Sequence, residues 1–135
     1  VVINWVFKDN FGRPRPIHVT QFGGEEKFLP LLQPGPCETC KSYPCGHASM
    51  GFYFMLPYFI FYQRRRRLAH RFIAGGLIAG LVIGTSRVLQ GSHWPSDVLW
   101  SAGYVYLTGY GLAFLLQLHR SENQQDRLQF WKNAG

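Results

Sequence analysis

Three short groups of polar residues carry the chemistry of this 135-residue chain. The first is KDNFGRPRP, from Lys8 to Pro16. The second is Pro44, Cys45, Gly46 and His47, and the third is Ser86 and Arg87, then His93, then Asp97. Lys8, Arg15 and Arg87 supply cations whose donor hydrogens suit a phosphate or another tetrahedral oxyanion. Gly46 lets a backbone N–H come close to a ligand, and amides opening a helix there point outward as they do in anion sites. His47, His93 and Asp97 are the residue types that transfer protons or attack as nucleophiles. A single histidine is more often structural. The argument for chemistry is that all three groups sit at helix ends on one side of the molecule.

The elements that place them there follow from the charge pattern. Charged residues are only 16% of the chain, while hydrophobic residues are 47% and aromatics 16%. That balance excludes an intrinsically disordered chain, and the length suits one domain. The formal net charge is +7, from 14 Lys+Arg and 7 Asp+Glu, but the charges are clumped. None lies in Ala48–Gln63, Phe72–Ser86 or Val98–Leu118. This pattern predicts an all-α chain with membrane spans at 48–63, 68–86 and 97–118. The apolar part of the first, Ala48–Tyr62, covers roughly 22 Å and is short for a bilayer core; the arginines after it can snorkel and extend it. The third, at roughly 31 Å, is a full span. Gly76, Gly80 and Gly84 recur every four residues, which allows close helix packing. A buried helix pair in a soluble protein is the other reading. The mean hydropathy of −0.08 reflects the polar first 47 residues.

Orientation comes from the basic residues. Arg64–Arg67 and Arg71 lie between the first two spans, and Arg120, Arg127 and Lys132 follow the third. By the positive-inside tendency both regions are cytoplasmic. The outer loop 8–47 and the turn after Arg87 then share the opposite face. The Arg64–Arg67 run is flanked by apolar spans, so nucleic acid is not expected as a partner. Residues 1–7 (VVINWVF) read as the end of a preceding span, which makes the chain the C-terminal part of a longer membrane protein with missing N-terminal helices. A mobile N-terminal strand is the alternative. The polar stretch 119–135 reads as a cytoplasmic tail.

Lys8-x6-Arg15-Pro16, Pro44-Cys45-Gly46-His47 and Ser86-Arg87-x5-His93-x3-Asp97 resemble, in order, the three signature motifs of the type-2 phosphatidic acid phosphatase (PAP2) superfamily. That superfamily also includes the vanadium haloperoxidases. The resemblance implies a transmembrane helix bundle of that type, with this sequence as its C-terminal half. It implies that His93 attacks phosphorus to form a phosphohistidine, that Asp97 orients His93, and that His47 protonates the leaving group and then activates water. Lys8, Arg15, Cys45, Gly46, Ser86 and Arg87 would hold the phosphoryl oxygens. No metal and no cofactor are implied. One position departs from the family: the second motif usually has serine where Cys45 stands. A thiol is a weaker donor than a hydroxyl, and a thiolate would repel phosphate.

Cys37 and Cys40, on the outer and oxidising side, suggest a disulfide. Either could instead pair with Cys45. A zinc site from Cys37, Cys40, Cys45 and His47 has a formal ligand set but would consume His47. The membrane boundary suits a phosphorylated lipid entering sideways, its tails remaining among the membrane lipids. Trp5, Phe7, Phe11, Tyr43, Trp94 and Trp100 are candidate interfacial aromatics, and packing accounts for each equally well. Gly12–Gly24 is similar to bacterial members acting on lipid A or related lipid phosphates. The expected substrates are lipid A, undecaprenyl pyrophosphate, phosphatidylglycerol phosphate or phosphatidic acid. The expected location is the bacterial inner membrane with the site facing the periplasm. A vanadate-dependent haloperoxidase relative and a non-catalytic membrane protein retaining the motifs are the alternatives.

Overall fold

A computed structural model of the chain describes residues 12–30, 33 and 41–116. Lys8, Cys37 and Cys40, segment 1–7, Phe11 and the tail 119–135 lie outside the described residues. The Cys37–Cys40 disulfide and the zinc reading therefore fall outside them as well.

The described part is helical, as its charge pattern requires. Four α-helices follow one another: α1 (Gly46–Phe52), α2 (Pro57–Phe61), α3 (Arg66–Leu89) and α4 (Pro95–Leu115). Short 3-10 turns occupy Pro16–His18, Thr20–Phe22 and Tyr53–Met55. Among the described residues there is no strand, only an isolated bridge between Val19 and Glu26.

The first apolar run is not one helix. Proline has no N–H to donate, and its ring collides with the carbonyl four residues earlier. Ahead of Pro57 the chain tightens into the 3-10 turn and restarts with Pro57 in the first turn of α2, the position where its missing donor costs nothing. α3 and α4 are continuous, and both are long and apolar enough to cross a membrane by length and composition. Ile78, Val82, Leu107 and Phe114 on their outer faces are exposed.

The glycine row is where the helices meet. A Cβ on Gly76 would strike Met55, one on Gly80 would strike the Phe52 ring, and one on Gly84 would strike Val98. These contacts set α3 against α1 and α4 around a core of Cys45, Ala48, Phe52, Met55, Val98 and Val105. Small residues at a repeat of four let backbones approach this closely.

Two helix ends then set up the site. α3 closes with Gly91 at φ +65°. The N–H of Ser92 donates to the Arg87 carbonyl (3.0 Å) and that of Gly91 to the Val88 carbonyl (2.9 Å). This pairing is the Schellman arrangement that a left-handed glycine permits. It turns the chain within five residues so that α4 can start at Pro95. The outer segment is fastened to this turn by a backbone bond from Ile17 N–H to Gly91 O (3.2 Å) and to the first turn of α4 by one from Cys45 N–H to Asp97 O (3.3 Å), while Ser42 N–H to Arg13 O (3.1 Å) joins two parts of the outer segment itself. The Trp94 indole N–H adds a bond to the Pro14 carbonyl (3.0 Å).

Candidate active site

Asp97 is the third residue of α4, and its side chain accepts the backbone N–H of Trp94, the residue before the helix (3.0 Å). This is the usual way an acidic side chain in a first turn satisfies an orphan donor. Here the carboxylate is also fully buried, and its remaining lone pairs are taken by distant residues. Ser42 Oγ donates to Oδ2 (2.7 Å). The Arg13 guanidinium donates from Nη1 to Oδ1 as an ion pair.

His93 lies one helical turn before Asp97 in sequence and is 4% exposed. Its Nδ1 is 3.8 Å from Asp97 Oδ2, and it has no hydrogen-bond partner among the described residues. Contacts of this kind are often long without substrate and shorten when it binds. The side chain of Cys45 is the other neighbour of the imidazole. Burial by itself would lower the His93 pKa, but the Asp97 carboxylate and the Cys45 thiol outweigh it and raise the value to about 9. The thiol moves the opposite way. Burial would raise its pKa, but His93 and the nearby amides of Ala48 and His47 bring it below the ordinary value. Cys45 itself is fully buried, and its carbonyl accepts the hydroxyls of Ser49 and Ser101 (both 3.0 Å).

The structure thus brings together Cys45 of the second group with His93 and Asp97 of the third. Gly46 opens α1, as the sequence suggested, and is half-buried. His47 follows it and is exposed. Arg87 is half-buried; its Nη1 donates to Gln90 Oε1 (3.0 Å), while its Nε is buried without a hydrogen-bond partner among the described residues. Ser86 is exposed, and its hydroxyl donates to the Ile83 carbonyl of its own helix (2.7 Å). Arg15 is exposed, and it is Arg13, two residues earlier, that enters the protein interior.

Arg13 and Ser42 are the site-lining residues that sequence reading passed over. Arg13 was visible only as a second Arg-Pro pair inside KDNFGRPRP, and nothing around Ser42 marked it. Tyr43, next to Ser42, is also buried; its hydroxyl lies 2.5 Å from that of Tyr104. Burial first, and that contact second, push its pKa well up.

Chemically, a buried imidazole flanked by a carboxylate can act as a nucleophile or base, and a half-buried guanidinium with an unspent donor can accept an oxyanion.

Comparison with known proteins points to one family. The sequence profile of the PAP2 superfamily matches residues 1–121. Curated relatives include the lipid A 4'-phosphatase of Francisella tularensis subsp. novicida (strain U112), 37% identical over 123 residues, which cover 90% of this chain and 54% of the relative. Another is the lipid A 4'-phosphatase of Rhizobium leguminosarum, 32% identical over 130 residues, covering 93% of this chain and 52% of the relative. The protein of the same name from Rhizobium etli is 28% identical over 129 residues, covering 93% and 47% respectively. The chain spans about half the length of the curated relatives it matches. No solved structure matches it significantly.

Proposed function

The chain belongs to the PAP2 superfamily, and from that premise we propose that it is the catalytic part of a membrane lipid phosphatase acting on a phosphate of lipid A. The observation that carries this reading is the placement of His93, buried between Cys45 and Asp97. The curated relatives are named for the 4'-phosphate of lipid A, which favours that substrate over undecaprenyl pyrophosphate, phosphatidylglycerol phosphate or phosphatidic acid.

In the proposed mechanism His93 Nε2 attacks phosphorus in line. The P–O bond to the lipid breaks, and His47 gives its proton to the leaving oxygen. Asp97 stabilises the charge that forms on the imidazole. Water then attacks the phosphohistidine, His47 takes a proton from that water, and the P–N bond breaks to release inorganic phosphate. Lys8, Arg15, Arg87 and the Gly46 amide bear the developing charge on the phosphoryl oxygens, the role a metal would otherwise fill. The reaction is therefore proposed to be metal-independent.

Two features support the membrane setting. The apolar outer faces of α3 and α4 are what lipid tolerates and water does not. Arg66 and Arg87 lie on the same helix, 21 residues apart by number, or roughly 30 Å at 1.5 Å per residue. The arginine run therefore sits about one bilayer thickness from the site, consistent with a cytoplasmic run and a periplasmic site in the inner membrane.

The test is phosphate release from lipid A by the full chain in detergent, with a chelator present. Mass spectrometry then locates the lost phosphate. Loss from the 4'-position with the chelator present is the expected result. No release, or release only on adding a divalent metal, overturns the reading.

Cys45 provides an independent check. The attacking imidazole must be neutral, and with a pKa of about 9 His93 is mostly protonated at neutral pH. The rate should therefore rise with pH through that value. The thiol is one of the groups that raise it, so in Cys45→Ser the rising limb should move to lower pH. Each tenfold loss of proton affinity gives about tenfold more neutral imidazole near pH 7. Cys45→Ser is expected to keep or gain activity at neutral pH, read from pH–rate profiles of both proteins. Complete loss of activity would show that the thiol has a role of its own.

A further inference from the structure

We propose that Arg13 is a positioning residue for His93, acting through the Asp97 carboxylate rather than on the phosphate. The proposal rests on the phosphatase reading and assigns a role to a residue outside the three signature positions.

Arg13 is buried and directed at Asp97. Arg13 is 4% exposed. Its Nε donates to the Leu29 carbonyl (3.2 Å). Its Nη1 donates to Ser96 Oγ (3.0 Å) and to Asp97 Oδ1. Its guanidinium carbon lies 5.4 Å from the ring centre of Trp94 and 5.9 Å from that of Phe28, and those two rings pack edge to face at 5.0 Å. A guanidinium held this way on two edges and against two aromatic rings is fixed in place. Nε and Nη1 are thus directed at Leu29, Ser96 and Asp97 rather than at a phosphate.

What Arg13 fixes is the rotation of the carboxylate. Oδ1 is pinned by Arg13, and Oδ2 by Ser42 and the Trp94 amide. Held this way, the carboxylate keeps Oδ2 in the direction of His93 Nδ1, at 3.8 Å. That direction selects the ring tautomer with the proton on Nδ1 and leaves Nε2 for attack. Without Arg13, Oδ1 loses its partner and the carboxylate can turn away from the imidazole.

The test is a double-mutant cycle on phosphate release, using the wild-type full chain, Arg13→Gln, Asp97→Asn and the combined variant. Groups that orient a metal-bound histidine cost about 10–100-fold when removed, and the same scale is expected for a group that orients a reacting one. Arg13→Gln is expected to lower kcat by about that factor with KM within about twofold, and Arg13→Lys to recover part of the loss. In the Asp97→Asn background the same change is expected to cost less than about twofold, because the coupled partner is already gone. Ser42→Ala removes a donor to Oδ2 without leaving a buried charge, and its smaller kcat loss should also vanish in the Asp97→Asn background. Equal losses in both backgrounds, or a raised KM at unchanged kcat, overturn the proposal and make Arg13 a direct phosphate ligand. His93→Ala, assayed alongside, reports on the phosphatase reading alone, so failure of one is distinguishable from failure of the other.

Discussion

Replacing His93 by alanine is expected to reduce phosphate release from lipid A by on the order of 10⁴–10⁶-fold, the scale seen when a hydrolase loses its nucleophile. The neighbouring carboxylate is not placed to take over. Asp97 is closed in by Arg13, Ser42 and the Trp94 amide. The cations proposed to hold the phosphate would still stabilise charge, so a small residual rate above the uncatalysed one is expected. Binding should survive: with the cations intact, inorganic phosphate should still inhibit the variant's residual activity at concentrations close to those for the wild type. The measurement is single-turnover phosphate release with wild type and variant at equal folded concentration, checked by their helical circular dichroism. A variant that keeps even a tenth of the wild-type rate would remove His93 from the covalent step and end the phosphohistidine proposal.

The second large effect is on stability. Asp97→Ala removes the partner of a guanidinium that is itself buried. Breaking a buried ion pair from one side typically costs about 3–5 kcal/mol, because the charge left behind has no compensation. The same substitution orphans Ser42 Oγ and the Trp94 amide. It also takes away the first-turn acid of α4 and the side-chain bonds by which Arg13 and Ser42 of the outer segment hold that helix. Denaturant unfolding in detergent, followed by the tryptophan signal, should show the loss. Asp97→Asn keeps the shape and an acceptor oxygen, and is expected to lose distinctly less. Equal stability of wild type and Asp97→Ala would show that Arg13 finds water or another acceptor when the carboxylate is absent.

Much of the site was legible in the sequence because its residues are tied to helix ends. His93 and Asp97 are separated by one turn around a proline that starts a helix, so their proximity follows from local geometry. The glycine row on α3 announced a close helix contact before any partner was known. The apolar runs announced α3 and α4, though α3 extends past both ends of the run 68–86, since arginine and leucine at helix ends continue the hydrogen-bond ladder as readily as the residues inside. The break at Pro57 was written in the first run as plainly as its hydropathy, but hydropathy alone reads through a proline.

Arg13 and Ser42 were not legible, for a physical reason. They reach Asp97 from 84 and 55 positions away. Motif spacing favoured Arg15, and only the path of the outer segment over the α3–α4 turn decides which arginine points inward. Cys45 shows the same division. Its place in the second motif could be read directly, but its contact with His93 and the opposite shifts of the two groups arise only once α1 and that turn are packed together. The sequence by itself determined the residue types, the helical segments and the pairs within one turn of each other, because those depend on local backbone geometry and on hydrophobicity. The tertiary structure alone decided which charge meets which. Partners across long separations are chosen by packing and by the need to satisfy each buried polar group, and neither leaves a mark in local sequence.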